Sequence, residues 1–313
     1  MQYRAQGAIE YLLIIGAAIL VVAIVILAVT GVLSGGQSQT SVGLTSVGSS
    51  FDALRESNKN FIRLNNYYYT KSDPMVSSLA TLWHLDGSQG NTFSDSSPNN
   101  LDMTCDVGHC PPQVNGLWGT ATEFGSITHG QANDGNFLYV PVTSTSPLNF
   151  GKNDFTISLW FNTRDKPNGG NNADTLISWG WFDQPDPRYG RFLCWFDWGN
   201  LGCFVTNGGY QVGVPSYGIS YPGANINLNQ WYHLVFLRRG DTVVGYINGV
   251  PFGTAALPAG YDIGSNPANP WPLMIGAEAR KGYVFNGYIS EVSIWNRALS
   301  DADVNALFVN ATS

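Results

Sequence analysis

The side chains that could do chemistry are few and scattered along the chain. Beyond residue 78 the glutamates are Glu123, Glu278 and Glu291, on separate segments, while Asp183 and Asp186 sit in a proline-containing loop as turn residues do. Cleaving a glycosidic bond takes two carboxyl groups about 5–9 Å apart, one with a raised pKa, and these residues offer no such pair. His84, His109, His129 and His233 have no nucleophile or metal motif beside them, and no phosphate loop or dinucleotide fingerprint occurs. The expectation is a protein with no catalytic residues, not an enzyme.

The four cysteines say more. Cys105, Cys110, Cys194 and Cys203 are an even set at short spacings, which in an oxidising compartment reads as disulfides. The segment from Phe192 to Val205 folds naturally about Trp198–Gly199. That register sets Cys194 opposite Cys203, Phe192 opposite Val205 and Phe196 opposite Leu201, with all six side chains on one face, the core face. A cross-strand disulfide follows, leaving Cys105 to pair with Cys110. The rival use of Cys105, His109 and Cys110 is a metal site, against which stand the oxidising location and the lack of a fourth close ligand.

One carboxylate is placed unusually. Glu10 opens a run from Tyr11 to Leu33 that has 23 residues, no charge and no proline. As a helix it would rise about 35 Å, enough to span a bilayer. Its apolar residues go all the way round, so lipid or other helices must surround it, and Gly16, Ala17, Ala23, Ala28 and Gly31 allow close helix approach. The stretch Arg4-Ala5-Gln6-Gly7-Ala8-Ile9-Glu10 ahead of this run resembles the class III signal of archaeal type IV pilins and archaellins. The resemblance implies cleavage by a prepilin peptidase between Ala5 and Gln6, leaving the helix on the mature chain. It also implies a subunit that rests in the membrane and then polymerises through assembly machinery into a homo-oligomeric helical filament. Glu10 of one subunit would meet the new amino group of Gln6 on a neighbour, each charge offsetting the other's desolvation.

The expected organisation is therefore a prepeptide over 1–5, a hydrophobic helix over 6–33, a linker with a short amphipathic helix over 34–77, and a head over 78–313. The linker is rich in Gly, Ser and Thr, and the helix is expected between Phe51 and Tyr69 with Ser50 as N-cap. The head reads as short alternating or apolar runs between Gly/Asn/Asp/Pro turns, an antiparallel sandwich. Expected strands include Leu79–Leu85, Phe155–Phe161, Thr175–Trp181, Tyr232–Leu237, Thr242–Ile247 and Val284–Trp295, with a closing helical turn over Ser300–Phe308. Net charge is −7, with no basic cluster beyond Arg238–Arg239, so nucleic acid is excluded as a partner.

Several segments, in order, resemble the laminin G-like or concanavalin A-like lectin domain. They are Trp83-His84-Leu85-Asp86, Gly119-Thr120-Ala121-Thr122-Glu123-Phe124, Phe155-Thr156-Ile157-Ser158-Leu159-Trp160-Phe161, Tyr246-Ile247-Asn248-Gly249 and Phe285-Asn286-Gly287-Tyr288-Ile289. This implies an all-β jelly-roll head on a long N-terminal hydrophobic helix. Many relatives hold a structural Ca2+, which makes Asp86, Asp95 and Glu291 conceivable oxygen ligands. Ser290 departs from the acidic residue the family commonly has before its Glu-Val pair, and turn-capping is the competing role for the three carboxylates. The family also includes glycosidases, but their E-x-D-x-x-E strand pattern is absent. Aromatic residues crowd the middle and late loops; Trp181, Trp195 and Trp198 are candidate platforms for a glycan ligand, or else core or subunit contacts. Asn310-Ala311-Thr312 is a sequon. The leading expectation is a structural subunit of an extracellular pilus-like filament with lectin-like heads outside. A minor or tip adhesin, an archaellin-like subunit and a monomeric membrane-anchored carbohydrate-binding protein remain open beside it.

Overall fold

The structure, a computed structural model, describes residues 61–65, 67–125, 135–167, 173–180, 191–207, 217–264 and 271–312. Ala5, Gln6, Glu10, the apolar run and the linker to residue 60 lie outside the described residues, as do His129, Trp181, Asp183 and Asp186. Among the described residues no helix is long and apolar enough to cross a membrane.

Two short strands come first, β1 (Phe61–Leu64) and β2 (Tyr67–Thr70). Both strands fall where an amphipathic helix was expected to end, and they pair as a two-stranded sheet instead. The physical reason lies in the spacing: Ile62 and Leu64 bury together at the strand period of two, and Asn65 takes the left-handed conformation (φ 56°) that Asn tolerates. Helix α1 (Pro74–Ser77) follows, with Asp73 accepting the Met75 N–H as its cap and Pro at the first position.

The strands then run β3 (Leu79–Trp83), β4 (Thr92–Phe93), β5 (Met103–Thr104), β6 (Gln113–Gly116), β7 (Gly119–Phe124), β8 (Leu138–Val140) and β9 (Phe155–Thr163). After them come β10 (Asp174–Trp179), β11 (Phe192–Asp197), β12 (Asn200–Val205), β13 (Tyr217–Tyr221), β14 (Trp231–Arg239) and β15 (Thr242–Ile247). Strands β16 (Val250–Ala256), β17 (Leu273–Ile275) and β18 (Gly287–Trp295) precede the closing helix α2 (Asp301–Thr312). One eight-stranded sheet has the order β13-β12-β11-β10-β17-β8-β5-β4. The other runs β16-β15-β14-β9-β18-β7-β6, with β3 also paired to β18. All ladders between named strands are antiparallel, as the sequence pattern implies.

Two cores hold the sandwich. Phe155, Ile157, Leu159 and Phe161 of β9 point between the sheets, where Leu176, Phe192, Phe196, Phe236 and Ile289 join them. The opposite side of the same sheet is buried as well. Leu82, Val235, Leu237, Tyr246 and Trp295 are covered by Ile62, Leu64, Tyr69, Met75 and Val76 from the chain's entry and by Val304 and Leu307 of α2. That second cover explains why β9 is buried at all nine positions, where a sheet with one wet face would alternate. Polar bonds fasten the cover: Trp295 Nε1 donates to Met75 O (2.6 Å), Asn65 Nδ2 to Leu307 O (3.1 Å) and Arg297 Nε to Ser78 Oγ (2.8 Å).

Candidate ligand-binding rim

Strand β9 ends and β18 begins at the same end of the sandwich, and three loops meet there. The β11–β12 hairpin pairs Phe192 with Val205, Cys194 with Cys203 and Phe196 with Leu201, the register expected from sequence. Cys194–Cys203 and Cys105–Cys110 are both disulfides, so Cys105, His109 and Cys110 form no metal site. His109 Nδ1 instead lies 2.8 Å from Gly135 O, and its ring stacks on Phe137.

The hairpin turns on Trp198 and Gly199, both left-handed (φ 50° and 71°). A two-residue turn of this hand matches strand twist but favours Asn-Gly or Asp-Gly; a bulky residue at positive φ is strained. Trp198 is also 73% exposed, so packing does not compensate the strain. The backbone that carries the ring is nevertheless fixed. Asp197 Oδ1 accepts the Trp198 N–H (2.9 Å), Asn200 Nδ2 donates to Trp198 O (3.2 Å), and the Gly199 N–H donates to Pro167 O (2.8 Å). Gly223 packs so tightly on the tip that a Cβ there would fall 1.6 Å from Gly199 O, so no other residue fits without moving the turn. The Gly223 N–H donates to Asn200 Oδ1, and Lys166 Nζ donates to Gly223 O and Ile226 O, both at 2.8 Å. Burial pushes the Asp197 carboxyl above the ordinary carboxylate range, opposed by the Trp198 N–H.

Beside the tip lies a polar cluster that sequence spacing did not single out. Asn286 Nδ2 donates to Asp165 Oδ2 (2.9 Å), and the Asn286 N–H donates to Asp174 Oδ2 (3.1 Å). Asp174 is fully buried. Burial pushes its carboxyl up to about 9, the nearby Asp165 charge and a hydrogen bond to Asp165 add to the rise, and the Asn286 N–H opposes it. Asp174 thus keeps its proton at neutral pH. Arg164 bridges Glu123 and the Tyr288 hydroxyl (2.9 Å), with its guanidinium 4.6 Å from the Tyr288 ring centre. The sequence signals for this cluster were the Gly119–Phe124 and Phe285–Ile289 segments, which marked strands and not a site.

The other candidates separate. Trp195 is partly buried, edge-on to Phe204 and Tyr283 on the outer side of the eight-stranded sheet. Trp179 is buried and donates to Trp271 O. Asn310 lies on α2, where its Nδ2 donates to the Tyr69 hydroxyl (3.2 Å), so the sequon amide is engaged within the fold.

The three conceivable Ca2+ ligands do not converge. Asp95 accepts the Leu82, Ser97 and Leu101 N–H groups and the Ser97 hydroxyl, all at 2.8 Å, as a turn organiser. Asp86 and Glu291 both face Arg63, at 2.6 and 3.0 Å, and Glu291 also lies 2.9 Å from His84 Nδ1. Arg63 thus supplies the cation at that spot, and among the described residues no group of three His, Cys, Asp or Glu could hold a metal. The donor set does not fit Ca2+.

Each glutamate of the head faces an arginine: Glu123 with Arg164, Glu278 with Arg280 and Glu291 with Arg63. His233 Nε2 lies 2.7 Å from Ser158 Oγ, but both residues are fully buried, and burial pulls the imidazole down to about 3.

A family model described as the concanavalin A-like lectin/glucanases superfamily matches residues 134–305. Among solved structures, the binding domain of Paraclostridial Mosquitocidal Protein 1 is similar (TM-score 0.53, 19% identity, covering 75% of this chain and 52% of that one). The receptor-binding domain of botulinum neurotoxin C/D mosaic serotype is also similar (TM-score 0.54, 12% identity, 75% and 51%). A third is the botulinum neurotoxin serotype D ligand-binding domain in complex with N-acetylneuraminic acid (TM-score 0.54, 12% identity, 74% and 51%). The match spans about half the length of those chains, and at such identities it speaks for the fold alone. No curated protein matches the sequence.

Proposed function

Because this chain belongs to the concanavalin A-like lectin/glucanases superfamily, we propose that its sandwich is a glycan-binding head. In this reading the head is displayed outside the cell on a filament whose core is the apolar N-terminal helix. The observation that carries the binding reading is Trp198: an exposed indole held in a strained turn by bonds from three loops. Strain without packing compensation points to use, and an exposed aromatic face on a fixed turn, flanked by Asp197 and Asn200, suits a sugar ring and its hydroxyls. Hydrolysis is not part of the reading. The head's glutamates are occupied by arginines, and Asp174 is sealed from solvent.

Trp198→Asn tests binding apart from folding. Asn-Gly is the preferred turn, so stability should rise by about 0.5–1 kcal/mol, while affinity on a glycan array should fall tenfold or more. Unchanged affinity, or a loss that tracks unfolding, would sink the rim as the site.

The filament part is supported by Glu10 ahead of the 23 uncharged residues, by the Ala5–Gln6 signal and by two disulfides suited to the cell exterior. Mass spectrometry of mature protein in sheared filaments should find Gln6 at the N-terminus. A chain that keeps Met1 and stays in the membrane would leave the anchored-lectin reading instead.

A further inference from the structure

A second concave surface lies at the other end of the sandwich. This cleft of about 700 Å3 is bounded by Asn149, Lys152, Asn153, Asp154, Asn296 and Arg297, within the range of ~300–1,000 Å3 usual for ligand sites. Asp154 immediately precedes β9 and Asn296 immediately follows β18, whereas Arg164 follows β9 and Asn286 precedes β18. A nine-residue strand at ~3.3 Å per residue puts cleft and rim roughly 30 Å apart.

The walls are held in place before any ligand arrives. Asn149 Nδ2 donates to Ser144 O (3.0 Å), and the Gly240 N–H donates to Asp154 Oδ1 (2.7 Å). Arg297 is locked by Ser78 Oγ and pairs with Asp303 at 3.3 Å. The aromatic residue of the cleft, Phe150, is buried at 1% exposure, so no ring is open for stacking. Recognition here has to come from amides and charge. Lys152, Asn153 and Asn296 are exposed, and among the described residues Lys152 has no ion-pair partner. Arg297 is answered by Asp303, so the charges left on the walls are the Lys152 ammonium, which can take one carboxylate, and the Asp154 carboxylate, which disfavours a polyanion. One carboxylate set among hydroxyls fits that balance.

We propose that this cleft is a second saccharide site, selective for a uronic acid unit, with Lys152 taking the carboxylate and Asn153 and Asn296 the ring hydroxyls. It shares no residue with the rim, so the two sites stand or fall separately, and together they would let one head engage a polysaccharide at two points.

The test is calorimetric titration of the full chain in detergent micelles with D-galacturonate and with D-galactose. Galacturonate should bind at least tenfold more tightly than galactose. Lys152→Met should weaken it by about tenfold or more, the weight of one charge-assisted hydrogen bond, and Asn153→Ala/Asn296→Ala should weaken both sugars. Trp198→Asn should leave galacturonate affinity unchanged. Absence of galacturonate binding at millimolar concentration, equal affinity for galactose, an unaltered Lys152→Met with native melting, or loss of binding in Trp198→Asn would each overturn the proposal.

Discussion

Asp174→Asn is expected to change how stability depends on pH, in a direction the structure dictates. The buried Asp174 carboxyl is pushed up to about 9, against about 3.9 in an unfolded chain. Between those values the folded protein holds a proton that the unfolded chain has released. Stability therefore falls as pH rises through this window and levels off above the folded value. The slope is about 1.4 kcal/mol per pH unit, or about 4 kcal/mol between pH 5 and 8. An asparagine reproduces the protonated acid: its oxygen can accept the Asn286 N–H, now 3.1 Å from Asp174 Oδ2, and its amide can donate to Asp165. The variant should thus match wild type near pH 5 and exceed it at pH 8. For a domain of this size the difference at pH 8 corresponds to about 8–16 °C in Tm. Thermal unfolding followed by circular dichroism at pH 5, 6.5 and 8 reads it directly. A variant with the wild-type slope, or one destabilised equally at every pH, would refute the account of a buried, protonated Asp174.

Other expectations follow from the same geometry. Arg63→Met strands Glu291, 1% exposed, and should cost about 2–4 kcal/mol in urea unfolding, below the fully buried case because Asp86 is half open to solvent. The double variant Arg63→Met/Glu291→Gln should recover part of that loss, and a double variant worse than the single would contradict the ion-pair account. Replacing Cys194 and Cys203 together by Ala opens a loop of sequence separation 9 and should cost about 2–3 kcal/mol, read as a lower denaturant midpoint. Glu10→Ala should lower filament yield seen by electron microscopy; normal yield would count against its pairing with the Gln6 amine.

Short apolar runs bounded by turn residues were legible in advance. Thr242–Ile247 appears with the bounds its composition implies, and the Phe192–Val205 register follows from placing six apolar or cystine side chains on one face. The missed features have separate causes. Strand β16 contains Pro251 and Gly253, poor strand formers tolerated because β16 is an edge. Strands β1 and β2 have an apolar spacing compatible with either helix or strand, and only the sheet surface they cover selects the hairpin. Glu291 looked like an oxygen ligand beside a valine. The bulge between Ser290 and Ser293 turns it, at φ 53°, toward Arg63 from a distant part of the chain.

Composition and local periodicity alone were enough to establish the antiparallel sheets, the cystine hairpin and the long uncharged run behind Glu10, because each depends on neighbours within a few residues. Which carboxylates would meet arginines, which would be sealed with a proton, and which tryptophan would stand in water were decided only by the tertiary structure. Burial and charge pairing arise between segments brought together by packing, and no spacing along the chain records them.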